Sequence, residues 1–342
     1  MDATTNKPET RPMTELELVF RSWRGEPDAV EMARISNAAN EVDDVDERNS
    51  PQELLNYFSH PGEHFDAARD VVMVEHDGLV VGYGWHNWID TTDRVREGRV
   101  GGYVHPDWTR RGIGRRLLGW LEARARASVL EHPTELPAIY GSWVDGRRTG
   151  KRVLLEQEGY AVVRRFYEMR RDDLDEVSPA PMPDGLEIRA IPVDRPSLRR
   201  LLDADAEAFQ DHWGGWAADD AAFEEMLNDP SFDPSLYVVA WDGDEIAGAV
   251  INHIPRLENE AMERSRGWLE SVFVRRPWRR RGLAQAIVTR SLVALRERGM
   301  DHAMLGVDAD NPNGAVGVYE RAGFFVVNTS TAYRKPMEAA SP

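Results

Sequence analysis

Apolar and polar positions change period several times along the 342-residue chain, and each change marks an element. In the second half, LEIRAI (186–191) alternates as a half-buried strand does. SLRRLLDADAEAF (197–209) and DAAFEEML (220–227) have helical composition, and LYVVAW (236–241) reads as a buried strand. DGDE then predicts a turn and IAGAVINHI (246–254) a returning strand, so the pair forms a hairpin. WLESVFV (268–274) predicts a further strand. From Gly282, an apolar stripe of Leu283, Ile287, Val288, Leu292 and Leu295 predicts a helix that Gly299 stops. A strand at AMLGV (303–307), a short helix at NGAVGVYERAG (313–323) and two strand segments in FFVVNTSTAYRK (324–335) close this half.

The first half runs through the same scheme: VVMVEHDGLVVGYGWHNW, GRVGGYV, a helix at GIGRRLLGWLEARARA, a strand at AIYGSW and a helix at GKRVLLEQEG. Trp108 and Trp278 are 170 residues apart, as are Gly112 and Gly282. LLEQEGY (154–160) resembles VYERAGF (318–324) at an offset of 164. A period this long means two copies of a domain, not a solenoid. Each copy predicts an α/β domain with a mixed, mostly antiparallel, twisted sheet flanked by helices. RRDDLDEVSPAPMPDG (170–185) has the charge and proline content of a linker. The expected organisation is a disordered N-terminus (1–14), a first domain (15–172), a linker (173–184) and a second domain (185–337).

Charge narrows the partners. With 42 Lys+Arg against 59 Asp+Glu the net charge is −17, which argues against nucleic acid and anionic membrane surfaces. It suits a cationic small molecule, and equally a protein that is merely kept soluble. The absence of cysteine excludes disulfides, thiolate nucleophiles and Cys-ligated zinc, and no metal is expected. No run approaches the roughly 18 apolar residues of a membrane helix, and MDATTNKPETRPM lacks the apolar segment of a secretory signal. The expectation is a cytoplasmic protein.

Against this acidity, RRPWRRRGLA (275–284) places five arginines in seven positions just before a glycine. A strand ends there and a helix begins. Free backbone N–H groups and the helix dipole make such a start an anion site, and Gly282 permits close approach. The local physics predicts a phosphorylated ligand such as a pyrophosphate; a solvated basic patch and a nucleic-acid patch are the competing readings. HPDWTRRGIG (105–114) repeats the outline with fewer arginines.

RRRGLA matches the [QR]-x-x-G-x-[GA] signature, with Arg279, Gly282 and Ala284 in the fixed places, and NPNGAVGVYERAGF (311–324) carries a tyrosine shortly before Gly-Phe. In these residues the chain resembles the GNAT-type (GCN5-related) N-acetyltransferases, as two tandem copies over nearly its whole length. The resemblance implies acetyl-coenzyme A as donor, with its pyrophosphate on Arg279, Arg280, Arg281, Gly282, Leu283 and Ala284. It implies pantetheine along Val272, Phe273 and Val274, with Asn311 and Asn313 at the cleft border. Direct attack by a primary amine in a ternary complex is the implied reaction.

Amine acetylation needs a base, oxyanion donors and an acid for the departing thiolate. The resemblance places Tyr319 as the acid and Glu270 as the base. Strict alternation puts Glu270 on the face of Val272 and Val274, where desolvation suits a base. In the first copy, Thr109 stands opposite Arg279, Val100 opposite Glu270 and Leu155 opposite Tyr319. That copy keeps Val104, Arg110, Arg111, Gly112 and Gly114 as a possible second cofactor site, in a degenerate domain. For the acceptor, EAFQDHWGGW (207–216) offers His212, Trp213 and Trp216 as an aromatic wall, with Asp211 or Asp219 to attract an amine. A small-molecule amine or a peptide N-terminus fits, as do a monomer and a homodimer. The alternative is a non-catalytic acyl-coenzyme A sensor on the same fold.

Overall fold

The computed structural model describes residues 16–59, 65–210, 212–214, 219–311 and 314–337. Among these residues, twelve strands form one sheet. The first half supplies β1 (Val19–Ser22), β2 (Val71–His76), β3 (Leu79–Asp90), β4 (Arg96–Val104), β5 (Ala138–Val144) and β6 (Ala161–Asp172). The second supplies β7 (Glu187–Ile188), β8 (Val238–Asp242), β9 (Glu245–His253), β10 (Arg266–Val274), β11 (His302–Asp308) and β12 (Phe325–Pro336). Their order is β1-β2-β3-β4-β5-β12-β6-β11-β10-β9-β8-β7.

Two strands lie on the wrong side of the sequence boundary. β12 ends the second copy, yet it pairs antiparallel with β5 (Tyr333 opposite Ser142) and with β6 (Ser330 opposite Phe166). β6 ends the first copy and pairs antiparallel with β11, placing Glu168 opposite Gly306. The repeat boundary therefore divides the sequence but not the sheet, because each half finishes the other's. The expected two segments of FFVVNTSTAYRK are one strand with a register shift between Val326 and Asn328. LEIRAI contributes only Glu187–Ile188, at the sheet edge, where one neighbour is available.

Ten helices cover the sheet: α1 (Glu26–Asp43), α2 (Pro51–Ser59), α3 (Ala67–Asp70), α4 (Ile113–Glu131), α5 (Thr149–Gln157), α6 (Arg195–Phe209), α7 (Asp220–Asn228), α8 (Arg256–Ala261), α9 (Leu283–Glu297) and α10 (Ala315–Arg321), counted among the described residues. The stripe Leu283, Ile287, Val288, Leu292 and Leu295 of α9 is buried against Ala303, Leu305 and Val307 of β11. Each such side chain contributes roughly 1.5–3 kcal/mol of transfer free energy. On the other face, Leu198, Leu201 and Leu202 of α6 pack on Val239, Ile246, Ala249 and Phe273. The first half matches: Ile113, Leu117 and Leu121 of α4 face Val72, Val81 and Val100, and Met32 and Ile35 of α1 face Val71 and Met73.

Buried charges tie the halves. Arg266 is 1% exposed and pairs with Glu258 at 2.8 Å and with Asp46, from the first half, at 3.0 Å. On β6, Arg164 holds Asp308 of β11 through two parallel bonds of 2.8 and 2.7 Å. Removing Arg164 would leave the buried Asp308 carboxylate without its counter-charge.

The exchanged strands make folding of the halves interdependent. Fragments 16–172 and 185–337 are each expected to lack a cooperative thermal transition alone and to regain one when mixed. The intact chain is expected to unfold in one calorimetric transition; two well-separated transitions contradict this.

Candidate active site

β10 and β11 run parallel and pair only from Arg266–Trp268 to His302–Met304. Beyond that they part, and a cleft of about 1150 Å³ opens between them. β4 and β5 repeat this geometry, with pairing from Arg96–Arg99 to Ala138–Gly141 and a cleft of about 600 Å³.

Each cleft ends on the same turn. After β10 comes a short helical turn at Arg276–Trp278, then Arg280 at φ 60° and Gly282 at φ 86°, then α9. The first-half counterparts are Arg110 at φ 61° and Gly112 at φ 80°. No side chain caps α4 or α9, and a Cβ at Gly282 would meet nothing within 4 Å. The first N–H groups of α9 therefore face open space, the arrangement that binds phosphate.

The arginines around this turn divide their work. Arg275 pairs with Glu207 at 2.7 Å and Glu245 at 3.2 Å. Arg279 donates from Nε to the Val274 carbonyl at 2.9 Å and from Nη2 to the Ala208 carbonyl at 3.0 Å, which braces the turn on β10 and α6. Arg280, Gly282, Leu283 and Ala284 line the cleft. Arg281, expected to face phosphate, instead donates to the Asp184 carbonyl at 3.1 Å and is not among the lining residues. In the first cleft Val104, Arg110, Gly112 and Gly114 line the cavity. Arg111 turns away and lies over the Trp108 ring at 4.7 Å.

Tyr319 reaches the cleft from α10 and is 6% exposed. Burial pushes its phenol above the ordinary range, so it holds its proton. Val272, Phe273, Val274 and Asn311 line the same cleft. Asn313, Asp211 and Trp216 lie outside the described residues.

Glu270 also lines the cleft, but not as alternation predicts. The β9–β10 register shifts between Leu269 and Ser271. Leu269, Val272 and Val274 pack on one core, a step of three and then two, while Phe273 packs on the other. This bulge moves Glu270 off the face of Val272 and Val274. It stands exposed at the cleft, so the expected desolvated carboxylate is absent.

The bulge has a partner that the sequence reading missed. Ser271 Oγ donates to Asp205 Oδ1 at 2.6 Å, and burial pushes the Asp205 carboxyl up to about 6. Asp205 follows Leu201 and Leu202 by one turn and precedes Ala208, so a polar residue on an apolar helical stripe was its available signal.

His212 lines the cleft, and Trp213 is not among its lining residues. The Trp213 ring lies 6.0 Å from Trp143 and 6.1 Å from Phe166, with Arg334 over it at 4.3 Å. Four lining residues come from the exchanged strands: Phe166, Tyr167 and Glu168 of β6 and Ser330 of β12. Among the described residues no cluster of three metal-binding side chains occurs, and no helix is long and apolar enough to cross a membrane.

The acetyltransferase (GNAT) family model matches residues 31–136 and 198–324. A mycothiol acetyltransferase of Geodermatophilus obscurus is 31% identical over 75% of this chain and 79% of its own length. One from Thermomonospora curvata is 30% identical over 95% of this chain and 99% of its own. A GCN5-related N-acetyltransferase structure from Sphaerobacter thermophilus superposes with a TM-score of 0.69 at 28% identity, covering 94% of this chain and 96% of that one. A tandem GNAT protein from the clavulanic acid pathway shares the fold, with a TM-score of 0.69 at 16% identity over 95% of this chain and all of that one.

Asp205 sets a pH dependence. Its folded-state value lies above the unfolded one of about 3.9, so folding takes up a proton and stability falls as pH rises from about 4 through about 6. Asp205→Asn keeps an acceptor for Ser271 and is expected to be more stable than wild type at neutral pH, by up to about 3 kcal/mol. The gain should vanish below about pH 4. Denaturant unfolding of both proteins across this range checks it; a pH-independent difference contradicts it.

Proposed function

As a chain that belongs to the acetyltransferase (GNAT) family, this protein is an acetyltransferase, and we propose that it works in its C-terminal cleft, from acetyl-coenzyme A to a primary amine. The observation that carries this is the meeting of Tyr319, Glu270 and the uncapped start of α9 in one cleft. The residues fit the donor: the open N–H groups of 281–284 receive a pyrophosphate, and the unpaired inner edges of β10 and β11 receive an extended pantetheine arm. Acetyl-coenzyme A supplies the activated acyl group as a thioester.

The chain's own residues supply the rest. Glu270, exposed at the bulge, accepts the proton that the acceptor ammonium must lose, directly or through water. Backbone N–H groups near Phe273 and Val274, on the splayed edge of β10, serve the acyl oxygen. Tyr319 holds a proton on Oη for the departing sulfur. Leu155 and Val100 line the N-terminal cleft at the matching positions, and neither carries a proton. We read that cleft as a retained, non-catalytic site. Relatives named mycothiol acetyltransferase make a small-molecule amine of that class the first candidate acceptor.

Tyr319→Phe keeps the buried ring and removes the proton. It is expected to lower kcat by about 10²–10⁴-fold while acetyl-coenzyme A affinity stays unchanged. Steady-state kinetics with calorimetric titration check this; a full-rate variant removes Tyr319 from the chemistry.

A further inference from the structure

One side of the cleft is built by both halves, and it carries a carboxylate on either side of a glycine. On β6, Tyr167 and Met169 pack on the core under α9, so alternation turns Phe166 and Glu168 to the opposite face. On β11, Leu305 and Val307 pack on that core, so Gly306 belongs to the opposite face as well. The bulge sends Glu270 there too. Glu168 pairs directly with Gly306. Glu270 and Gly306 each lie two residues past the last β10–β11 pair, Trp268 opposite Met304. The row across the sheet is thus Glu168, Gly306, Glu270. Gly306 is exposed, and a Cβ there would touch nothing within 4 Å.

Two strand spacings separate the glutamate backbones, about 10 Å before the splay is added. A charged hydrogen bond needs about 3 Å, so upright side chains cannot share one ammonium. Nearby cations are already engaged. Arg266 holds Asp46 and Glu258, and Arg147 lies 3.9 Å from Asp145. Glu168 takes part in none of the ion pairs within 4 Å among the described residues, and its half-burial, with Glu47 and Asp145 nearby, pushes its carboxyl up. A cation brought by a ligand would reverse that cost.

Resting on the reading of the C-terminal cleft above, we propose that Glu168, from the N-terminal half, is a specificity-determining residue that pairs with a second cationic group of the acceptor, while the reacting amine lies toward Glu270. The acceptor class is then a compact diamine or polyamino compound. Phe166, backed by Trp143 at 4.6 Å, gives its carbon frame a surface to lie on.

The test uses the intact protein, acetyl-coenzyme A and matched amines: pentylamine with cadaverine, and glucosamine with neamine. Wild type should favour the polycation of each pair by about tenfold or more in kcat/KM. Glu168→Gln should erase that preference by raising KM for the polycations, leaving kcat, both monoamine KM values and acetyl-coenzyme A affinity in place. Glu168→Asp should restore part of it. A wild type without preference, or a variant that keeps it or weakens both members of a pair alike, overturns the proposal alone. A protein that binds acetyl-coenzyme A and acetylates none of the four amines overturns the proposal alone, since the reading beneath it admits other amines; a protein that does not bind acetyl-coenzyme A overturns both.

Discussion

A strand inside a sheet has main-chain donors and acceptors on both edges, and every one of them needs a partner. β6 and β12 each find theirs in the opposite half of the chain. That requirement joins two repeated units into one sheet, twelve-stranded among the described residues, and fixes where the C-terminal cleft gets its walls. Because β6 lies beside β11, Phe166, Tyr167 and Glu168 enter a cleft whose other lining residues come from the second half. The pairs Arg164–Asp308 and Arg266–Asp46 also link the two halves.

Within that frame, each cleft follows from a local conflict. A parallel pair that parts after three or four residues leaves main-chain groups unpaired, and a ligand with an amide-bearing arm suits such an edge. A helix that begins on an uncapped glycine next to it offers more free N–H groups. Both copies kept these backbone features. They differ in side chains: Tyr319 and Glu270 in one, Leu155 and Val100 in the other.

Much of this was legible in the sequence. The α9 stripe, the turn at 279–284 and Tyr319 rest on local periodicity and short motifs, and local physics set them. Three kinds of feature were not legible. Strand exchange is a long-range choice between equivalent edges, so Glu168 and Ser330 carried no signal. The β10 bulge adds one residue to an otherwise alternating strand, and this put Glu270 on the other face. The arginine run looked uniform, yet Arg281 and Arg279 are engaged with carbonyls of neighbouring segments, and only the folded neighbours reveal that. Asp205 lay between, since a carboxylate on an apolar stripe is visible while its Ser271 partner is not.

The central proposal is that one of two clefts with similar uncapped helix starts performs the transfer. Calorimetric titration of acetyl-coenzyme A into wild type, Gly112→Asp and Gly282→Asp, with amine turnover measured on the same samples, tests it most directly. Aspartate puts a negative charge at the start of each helix, and because both glycines have a positive φ, each variant is first checked for a native thermal transition. The account predicts that Gly282→Asp loses the C-terminal binding event and all transfer, and that Gly112→Asp keeps turnover. Transfer that survives Gly282→Asp, or that disappears with Gly112→Asp in a folded protein, would contradict it.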